Sequence, residues 1–525
     1  MTLRRAIGSC GFEVKGNKLV AKLETDDLKD IQGIVMSGYG DLHCASYMLL
    51  RLTEAAAARH WLGNIADQIT TGEPPAQKVS SLNVALTCRG LTNLGLDVKT
   101  IETFSRPFLE GMTTVHRARI LGDAKENAPE SWDWGGNDPN DPAQPDEAKA
   151  VDILLMIFGE NEATLDALVA EKRSQFPQNG IEELRTLSAG RQDDSHEHFG
   201  FADGMGQPAI EGTFQVKKAA ARNVVKTGEM LLGYINDYGK PADSPTVDAA
   251  RDPKPYLSPP RAVDDAGVPT GARTDIHDLG LNGTYLVFRQ LAQNVSRFRH
   301  FVDEATRGLD GQLDRAASDR LAAKFVGRWQ NGAPLVLSPD VDDPALSNAD
   351  DFGYRDSDAR GFKCPIGSHV RRSNPRDTLG KDGPTALRSA NRHRILRRGR
   401  SYGHRPADPR VEDTIDRGLI FICLNSDIER QFEFVQQTWV NNPVFGGLNG
   451  EVDPLIGNIN KTEPAPVNPL PGKPEKGDAE PDALFTIPAD PLRTRVHNLE
   501  RFVTVKGGAY FFLPSIRALR YLASL

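Results

Sequence analysis

Cysteine is scarce in this chain of 525 residues, and the five that occur are widely scattered. They are Cys10, Cys44, Cys88, Cys364 and Cys423. None belongs to a CxxC pair or to a CxxCH motif, so the sequence does not indicate covalent attachment of haem. A sparse, odd-numbered set of cysteines is typical of a reducing compartment, and we expect a cytoplasmic protein.

Long apolar runs are also missing. Ile153–Phe158 and Leu419–Leu424 are clean apolar runs, but both fall far short of the roughly 18 residues that a membrane span needs. Arg4 and Arg5 are followed by charged residues rather than by an apolar segment. We therefore expect neither a secretory nor a twin-arginine signal, and no membrane partner.

The chain has no excess of basic residues, since its formal net charge is −8 and its pI is about 5.8. An acidic balance argues against a general nucleic-acid binder. Hydrophobic residues make up 39% of the chain and charged residues 26%, which is the composition of a soluble globular protein. The length allows about two to four domains.

Several common catalytic motifs are absent. The sequence has no Gly-x-Ser-x-Gly elbow, no HExxH motif, no Walker A loop and no Rossmann glycine fingerprint. Serine-hydrolase, zinc-hydrolase and nucleotide chemistries are therefore unsupported.

What the chain does have is an alternation of strand and helix patterns. The predicted strands are Ile31–Val35, Ser81–Thr87, Val151–Phe158, Leu231–Ile235, Thr284–Arg289 and Gly418–Leu424. The predicted helices are Ala45–His60, Glu162–Gln175, Val295–Asp303, Leu313–Phe325 and Ile428–Val440. Proline-rich residues 240–278 form a linker or a long loop, and residues 460–482 a surface excursion. This alternation predicts an α+β fold in two halves.

Two short segments each contain one residue that is a candidate for catalysis or metal binding. The segment His198–Gly204 places Asp203 among glycines and aromatic residues. Such a segment is most often a turn, and no GK[ST] follows that would indicate phosphate binding. The segment Cys364–Arg372 places His369 after a Gly-Ser turn, although a lone histidine is more often structural than a metal ligand.

The third segment, Arg388–Arg400, is rich in arginine. Its six arginines are residues 388, 392, 394, 397, 398 and 400. A nucleic-acid patch and a solvated face are both open interpretations. Because Ile395 and Leu396 favour a strand that enters the core, at least one arginine is expected to point inward, toward an anionic or polar partner.

In this order, the segments resemble the dye-decolorizing peroxidases, a family of haem b enzymes. Five stretches carry the resemblance: the GxxDG motif at Gly200–Gly204, the proximal haem-ligand segment at Cys364–Arg376, the distal-arginine segment at Arg394–Gly403, and two further matches at Gly418–Phe421 and Asp453–Gly457. The similarity extends from about Asp30 to Pro514 and so covers nearly the whole chain.

The resemblance implies a fold and a cofactor. Family members consist of two ferredoxin-like α+β domains with antiparallel sheets, and the C-terminal domain holds most of the haem. We accordingly expect an N-terminal domain over residues 1–225, which carries the GxxDG motif. Residues 226–525 would form the C-terminal domain that binds haem b, iron protoporphyrin IX.

The resemblance also implies roles for single residues. His369 takes the place of the axial ligand, and neutral imidazole suits iron. Asp453 is implied as the acceptor for its other ring nitrogen. Asp203 matches the distal acid that moves a proton within peroxide, and Arg397 the distal cation. Arg398 is the alternative to Arg397, since neighbours on a strand point in opposite directions.

Leu419 and Phe421 alternate on one face of a predicted strand and would form a wall of the distal pocket. A tight wall excludes bulky donors, so large dyes would be oxidised at the surface through aromatic side chains. Trp329, Tyr402 and Trp439 are candidates for this role, although core packing is the simpler interpretation of each.

The implied activity is that of a haem peroxidase, which uses hydrogen peroxide to oxidise dyes, phenols and other aromatic donors by one-electron steps. The protein would act as a monomer or a homo-oligomer. A non-enzymatic haem-binding or haem-trafficking protein of the same fold is one alternative. A nucleic-acid-binding protein that uses the arginine-rich segment is another, against which the acidic net charge argues.

Overall fold

The computed structural model describes residues 12–15, 18–21, 23–74, 78–192, 194–261, 273–459 and 483–525. The predicted surface excursion at 460–482 lies outside the described residues, as do Cys10 and the Arg4-Arg5 segment. The predicted loop at 240–278 is described in part, and two short paired strands, Thr246–Asp248 and Ile276–Asp278, lie within it.

The centre of the fold is a closed ring of eight antiparallel strands. In chain order the strands are β1 (Cys44–Leu52), β2 (Ser80–Leu86), β3 (Ile153–Gly159), β4 (Ile181–Gly190), β5 (Thr284–Gln293), β6 (Arg400–Tyr402), β7 (Gly418–Asn425) and β8 (Val503–Leu513). A short strand, Leu396–Arg397, also pairs with β7.

The ring consists of two halves with the same strand order. The first half has the order β4-β1-β3-β2 and the second has β8-β5-β7-β6. Numbered within each half, both are 4-1-3-2, and with helices after the first and third strands this is the arrangement of a ferredoxin-like unit. The predicted α+β class with antiparallel strands is confirmed. The two halves share one sheet, and the domain boundary at residue 225 stays a prediction.

Within the ring, two short pairings join the strands of one half to those of the other. Ser401 of β6 pairs with Gly190 of β4, and Phe512 of β8 pairs with Leu86 of β2. These pairings remove the free edges that each half would have alone.

Strands of the ring are buried on both faces. All seven residues of β3 are buried. Leu154, Met156 and Phe158 pack in a cluster to which every strand of the ring contributes. The alternate residues of β3 pack in a second cluster with the helix Ala55–Ala66. Burial on both faces explains the uninterrupted apolar run, and the predicted strand at Val151–Phe158 is confirmed.

Helices surround the ring. The α-helices are Thr25–Asp30, Gly33–Met36, Ala55–Ala66, Cys88–Asn93, Val98–Ile101, Arg106–Glu110, Val115–Leu121, Glu162–Gln175, Val295–Ala305, Arg315–Val326, Arg355–Asp358, His369–Ser373, Gly383–Asn391 and Ile516–Ala523. Two π-helical stretches, Glu429–Glu433 and Val435–Val440, follow β7 where a helix was predicted. No helix in the described part of the chain is both long and apolar enough to cross a bilayer.

Three element predictions are wrong. The predicted helix Ala45–His60 is instead β1 followed by the helix Ala55–Ala66, because β1 is buried on both faces and shows no alternation. Glu54 begins that helix by accepting hydrogen bonds from the backbone N–H groups of Ala56 and Ala57.

The other two errors concern short apolar runs. The predicted strand Ile31–Val35 overlaps the buried helix Gly33–Met36. The predicted strand Leu231–Ile235 is a buried turn, in which Gly233 has a φ of 80°. A run of about five apolar residues fits a buried strand, helix or turn equally well, so periodicity could not decide these cases.

Candidate active site

His369 is the first residue of a short helix, His369–Ser373. Hydrogen bonds from Ser368 and Arg372 attach this helix to the rest of the protein. The hydroxyl of Ser368 donates a hydrogen bond to the carbonyl oxygen of Lys324. Arg372, which is fully buried, donates to the carbonyl oxygens of Trp439 and Glu451. The two anchors hold the imidazole of His369 in one position against the body of the protein.

The imidazole of His369 is oriented by Asp453. Nδ1 of His369 lies 2.8 Å from Oδ2 of Asp453. The other carboxylate oxygen accepts hydrogen bonds from the backbone N–H groups of Leu455 and Ile456, at 2.9 and 3.0 Å. Burial alone would raise the pKa of Asp453, but His369 and these donors outweigh it and leave that pKa below its ordinary value. Asp453 is therefore a buried carboxylate that accepts the Nδ1 proton and leaves Nε2 free for another ligand.

The ring of His369 borders two adjoining cavities of about 180 and 210 Å³. The residues that border both cavities are Met205, Leu291, Arg328, His369, Val370, Arg397, Leu419 and Ile456. Most of this shared lining is apolar. A single imidazole therefore faces an apolar space that a flat hydrophobic ligand can fill.

Asp203 reaches the same space from a loop that is fixed by buried polar groups. The carboxylate of Glu197 accepts hydrogen bonds from the backbone N–H groups of Phe199 and Phe201, both at 2.9 Å. Gly200 and Gly204 have φ values of 93° and 87°, which L-residues rarely adopt. The glycines of the GxxDG motif thus allow the turn that presents Asp203 to the cavity.

Glu197 was not predicted from the sequence. Its side chain also accepts a hydrogen bond from Gln293 at 2.7 Å, and burial raises the pKa of Glu197. Its carboxylate binds the backbone of the loop and also the side chain of Gln293, and these contacts fix the shape of the loop. A glutamate at the start of a turn belongs to no recognisable sequence motif, so this role could not be predicted from the sequence.

Arg397 also borders the cavity, and Arg398 has a different environment. Nη2 of Arg397 donates to the carbonyl oxygen of Met205 at 2.6 Å, and Nη1 lies 3.6 Å from Oδ1 of Asp203. Arg398 instead donates to the carbonyl oxygens of Ile34 and Val35, both at 2.8 Å. The structure therefore brings Arg397 and Asp203 together with His369 at one cavity, and it ties Arg398 to the helix Gly33–Met36.

Leu419 and Phe421 lie on the same face of β7, as the strand pattern predicted. Both border the larger of the two cavities. The intervening Ile420 faces the opposite way and packs in the cluster shared by all eight strands. The ring of Phe421 also contacts Phe432, whose centroid is 6.0 Å away.

One edge of the cavity is cationic, and only part of this charge could be predicted from the arginine-rich segment. Arg328, Arg376 and Arg394 border this edge together with a single carboxylate, Asp350. Burial, together with the charge of the neighbouring Arg376, lowers the pKa of Arg394 to about 10. Arg394 is the inward arginine that the arginine-rich segment led us to expect. Its carbonyl partner, Gly206, does not neutralise its charge.

These features fit a haem group. An apolar space suits the macrocycle, one imidazole suits the iron, and an excess of guanidinium charge suits the two propionate carboxylates. Among the described residues, no group of three His, Cys, Asp or Glu side chains is placed to hold a metal ion by itself. The donor set at His369 therefore suits an iron whose remaining ligands come from a macrocycle.

The arginine-rich segment is used within the protein. Arg392 pairs with Asp237 at 2.9 Å, and Arg400 donates to the carbonyl oxygens of Tyr39 and Leu42. With Arg394, Arg397 and Arg398, five of the six arginines have partners in the chain. These partners explain why so many arginines are concentrated in one segment.

The three aromatic residues suggested for surface electron transfer are buried. Trp329 is 6% exposed, Tyr402 8% and Trp439 4%. Nε1 of Trp329 donates to the carbonyl oxygen of Ser338, and the hydroxyl of Tyr402 donates to Asp416. Core packing is the interpretation that the structure supports for each, and none of them forms a surface site.

Comparison with known proteins identifies the family. No protein-family profile matches the chain. The multifunctional dye peroxidase DyP2 of Amycolatopsis sp. is 30% identical over 503 residues, which cover 90% of this chain and 91% of that protein. The dye-decolorizing peroxidase msp1 of Mycetinis scorodonius is 28% identical over 95% of this chain and 88% of its own length. A dye-decolorizing peroxidase in complex with 2,6-dimethoxyphenol has the same fold, with a TM-score of 0.68 and 24% identity over 94% of this chain and 99% of that one. The chain therefore belongs to the dye-decolorizing peroxidase family and is a haem-dependent peroxidase.

Proposed function

We propose that this peroxidase oxidises dyes and small phenols with hydrogen peroxide, and that Asp203 and Arg397 act opposite His369 in one haem cavity. The observation that carries the proposal is that these three side chains, from three distant segments, border the same apolar space. The names of the relatives support dyes as donors, and the related complex with 2,6-dimethoxyphenol supports phenols. Haem b is the cofactor that we propose.

On the proximal side, Nε2 of His369 would bind the iron while Nδ1 donates its proton to Asp453. Haem iron, when bound, supplies the centre that accepts peroxide and then takes electrons from donors. A buried anionic acceptor makes the imidazole a stronger donor and fixes its tautomer. The guanidinium groups of Arg328, Arg376 and Arg394 would hold the propionates. Most of these residues come from the second half of the chain, which supports the expectation that this half holds most of the haem.

On the distal side, Asp203 would take a proton from the inner oxygen of peroxide and deliver it to the outer oxygen. A carboxylate at the cavity surface can perform both transfers without moving its backbone. Arg397 would stabilise the negative charge that develops on the departing oxygen. Its hydrogen bond to the carbonyl oxygen of Met205 holds the guanidinium in place for this task.

Asp203 and Arg397 also border a polar cleft on the other side of the loop. The cleft contains Arg191, His196 and several glycines. Because the two distal residues line both the cleft and the apolar cavity, a small polar molecule such as peroxide can reach them from the cleft. Leu419 and Phe421 would close the cavity to bulky dyes, which would then be oxidised without entering it.

Steady-state assays of the purified protein test the proposal. With haem bound, oxidation of 2,6-dimethoxyphenol and of an anthraquinone dye should require hydrogen peroxide and should be lost when haem is absent. A protein that binds haem fully but turns over neither donor would favour the alternative of a haem-binding protein without enzyme activity.

We further propose a cytoplasmic location. The cysteines among the described residues, Cys44, Cys88, Cys364 and Cys423, are all free thiols, as in a reducing compartment. Cell fractionation with an antibody against the protein would test this, and recovery in an oxidising compartment would contradict it.

A further inference from the structure

Tyr510 and Glu433 form a buried hydrogen-bonded pair close to the haem cavity. The Tyr510 hydroxyl donates to Oε1 of Glu433 at 2.8 Å. Oε2 of the same carboxylate lies 2.6 Å from Nη1 of Arg117. Tyr510 is 3% exposed and Glu433 1% exposed, so neither group is in contact with bulk water. The phenol therefore has one fixed proton acceptor, and the acceptor is an ion-paired carboxylate.

An aromatic side chain connects this pair to the cavity. Phe432 borders the haem cavity, and its ring centroid lies 6.3 Å from that of Tyr510, in an edge-to-face arrangement. Phe421, which also borders the cavity, lies 6.0 Å from Phe432 on the other side. Tyr510 is therefore separated from the cavity by a single aromatic ring.

We propose that Tyr510 is a redox-active residue that stores one oxidising equivalent of the peroxide reaction, with Glu433 as its proton acceptor. In this step Tyr510 loses one electron to the site that peroxide has oxidised. The O–H bond of Tyr510 breaks and an O–H bond forms on Oε1 of Glu433, so the products are a neutral phenoxyl radical and a carboxylic acid. An aromatic donor later returns the electron, and Glu433 returns the proton. The inference rests on the proposed peroxidase function.

The environment of Glu433 suits a proton acceptor. Burial raises the pKa of Glu433, which makes its carboxylate a stronger base than an exposed one. Arg117 is 2% exposed and keeps the carboxylate ionised before the transfer. After the transfer, the carboxylic acid can still accept from Arg117, so the pair does not need to rearrange.

Tyr354 shows that proximity to the cavity is not sufficient for a tyrosine to act as a redox-active residue. Its ring borders the cavity directly, yet its hydroxyl has no hydrogen-bond partner among the described residues. The guanidinium of Arg371 lies over the ring, 4.4 Å from its centroid. A neighbouring cation opposes removal of an electron, and the part of the chain that the structure describes places no hydrogen-bonded base at this hydroxyl. Tyr510 is favoured because the removal of its electron is coupled to a proton acceptor.

The experiment uses electron paramagnetic resonance of the haem-loaded protein, frozen shortly after mixing with one equivalent of hydrogen peroxide and no donor. Protein labelled with ring-deuterated tyrosine identifies a tyrosyl signal by its narrowed hyperfine pattern. We expect that signal in the wild type. Tyr510→Phe, which keeps the ring, should lose most of it, and so should Glu433→Gln, which removes the base. Tyr354→Phe is the matched control and should keep the signal.

Optical spectra of the same samples separate this inference from the proposed function. If peroxide leaves the haem absorption unchanged, the peroxidase function itself fails. If the absorption changes but the wild type shows no tyrosyl signal, or if Tyr510→Phe keeps the wild-type signal, the inference is overturned. Should Tyr510→Phe not fold, loss of the signal in Glu433→Gln would still support the pair, and a wild-type signal in that variant would contradict it.

Discussion

Nη1 of Arg397 lies 3.6 Å from Oδ1 of Asp203, and both side chains keep more than a third of their surface exposed, 37% and 39%. This separation is longer than a hydrogen bond, so the two groups attract each other without closing into a direct pair. Each side chain therefore keeps polar atoms that face the cavity. This arrangement suits two residues that share a task but act on different atoms of the substrate.

Asp203→Asn should bind haem normally and react slowly with peroxide. The amide occupies the same space but cannot carry the proton between the two peroxide oxygens. General acid–base groups typically contribute about 10²–10⁴-fold to a rate. Stopped-flow mixing of the ferric protein with hydrogen peroxide measures the effect, and haem content by absorbance is the control. A wild-type rate would remove Asp203 from the proton-transfer step.

Arg397→Leu should also slow the reaction with peroxide, because it removes the positive charge near the departing oxygen. Loss of one such group typically costs about 10²–10³-fold. Arg398→Leu is the matched control, since Arg398 is adjacent in sequence but donates to the carbonyl oxygens of Ile34 and Val35. That variant should lose about 1–3 kcal/mol of stability through unpaired carbonyl groups and keep its rate with peroxide. Equal rates in the two variants would contradict the choice of Arg397.

His369→Ala should lose most of its haem. Among the described residues, the other side chains that border the cavity include no second histidine. Haem content per protein after purification is the measurement. His393→Gln is a suitable control because His393 is buried against Phe434 and borders neither of the two cavities. Full haem content with an unchanged ferric spectrum in His369→Ala would show that the ligand lies elsewhere.

Asp453→Asn should keep its haem but raise the reduction potential of the iron. The asparagine side chain keeps the size of aspartate, but its single oxygen can accept either the Nδ1 proton of His369 or the two backbone N–H groups of Leu455 and Ile456. The negative charge that strengthens the imidazole as a donor is lost, which destabilises the oxidised iron relative to the reduced iron. A spectroelectrochemical titration measures the potential. No change relative to the wild type would mean that Asp453 only positions the ring.

The sequence predicted the parts of the site that depend on motifs, and it missed those that depend on distant contacts. His369, Asp203 and Arg397 were found because each lies in a short segment with a characteristic pattern. Glu197 and Arg328 were missed because their roles follow from hydrogen bonds and a cavity edge formed by segments far apart in the chain. No local pattern of residues encodes such contacts.

Predictions of the fold also succeeded where the sequence pattern is local and failed where the structure depends on distant contacts. Glu162–Gln175 was predicted with correct bounds because the helix is long and begins at Asn161, whose side chain accepts a hydrogen bond from the backbone N–H of Thr164. The segment 45–52 was predicted as helix because β1 is buried on both faces and lacks the alternation of a half-exposed strand. Closure of both halves into one ring could not be predicted, since it depends on the two short pairings at Ser401 and Phe512.

The stability of the protein should fall in mild acid because of His198. Its Nε2 lies 2.7 Å from the carbonyl oxygen of Tyr402, so this nitrogen carries the proton, and the buried Nδ1 has no partner among the described residues. Burial lowers the pKa of His198, and the nearby Arg417 and Arg405 lower it further. Below the ordinary histidine pKa of about 6.5, the unfolded chain binds a proton that the folded chain does not. Stability from this residue is therefore fully present above that pH and is lost as the pH falls toward the lowered pKa.

His198→Gln tests this prediction, because glutamine can still donate to Tyr402 but cannot be protonated. The variant should be less stable than the wild type at neutral pH, and the difference should shrink as the pH falls below about 6.5. Urea unfolding at a series of pH values measures the free energy of unfolding of both proteins. His60→Gln is the control, because His60 is exposed and its replacement should leave the difference constant with pH. If His198→Gln also gives a constant difference, the neutral state of His198 does not contribute to the acid sensitivity of the fold.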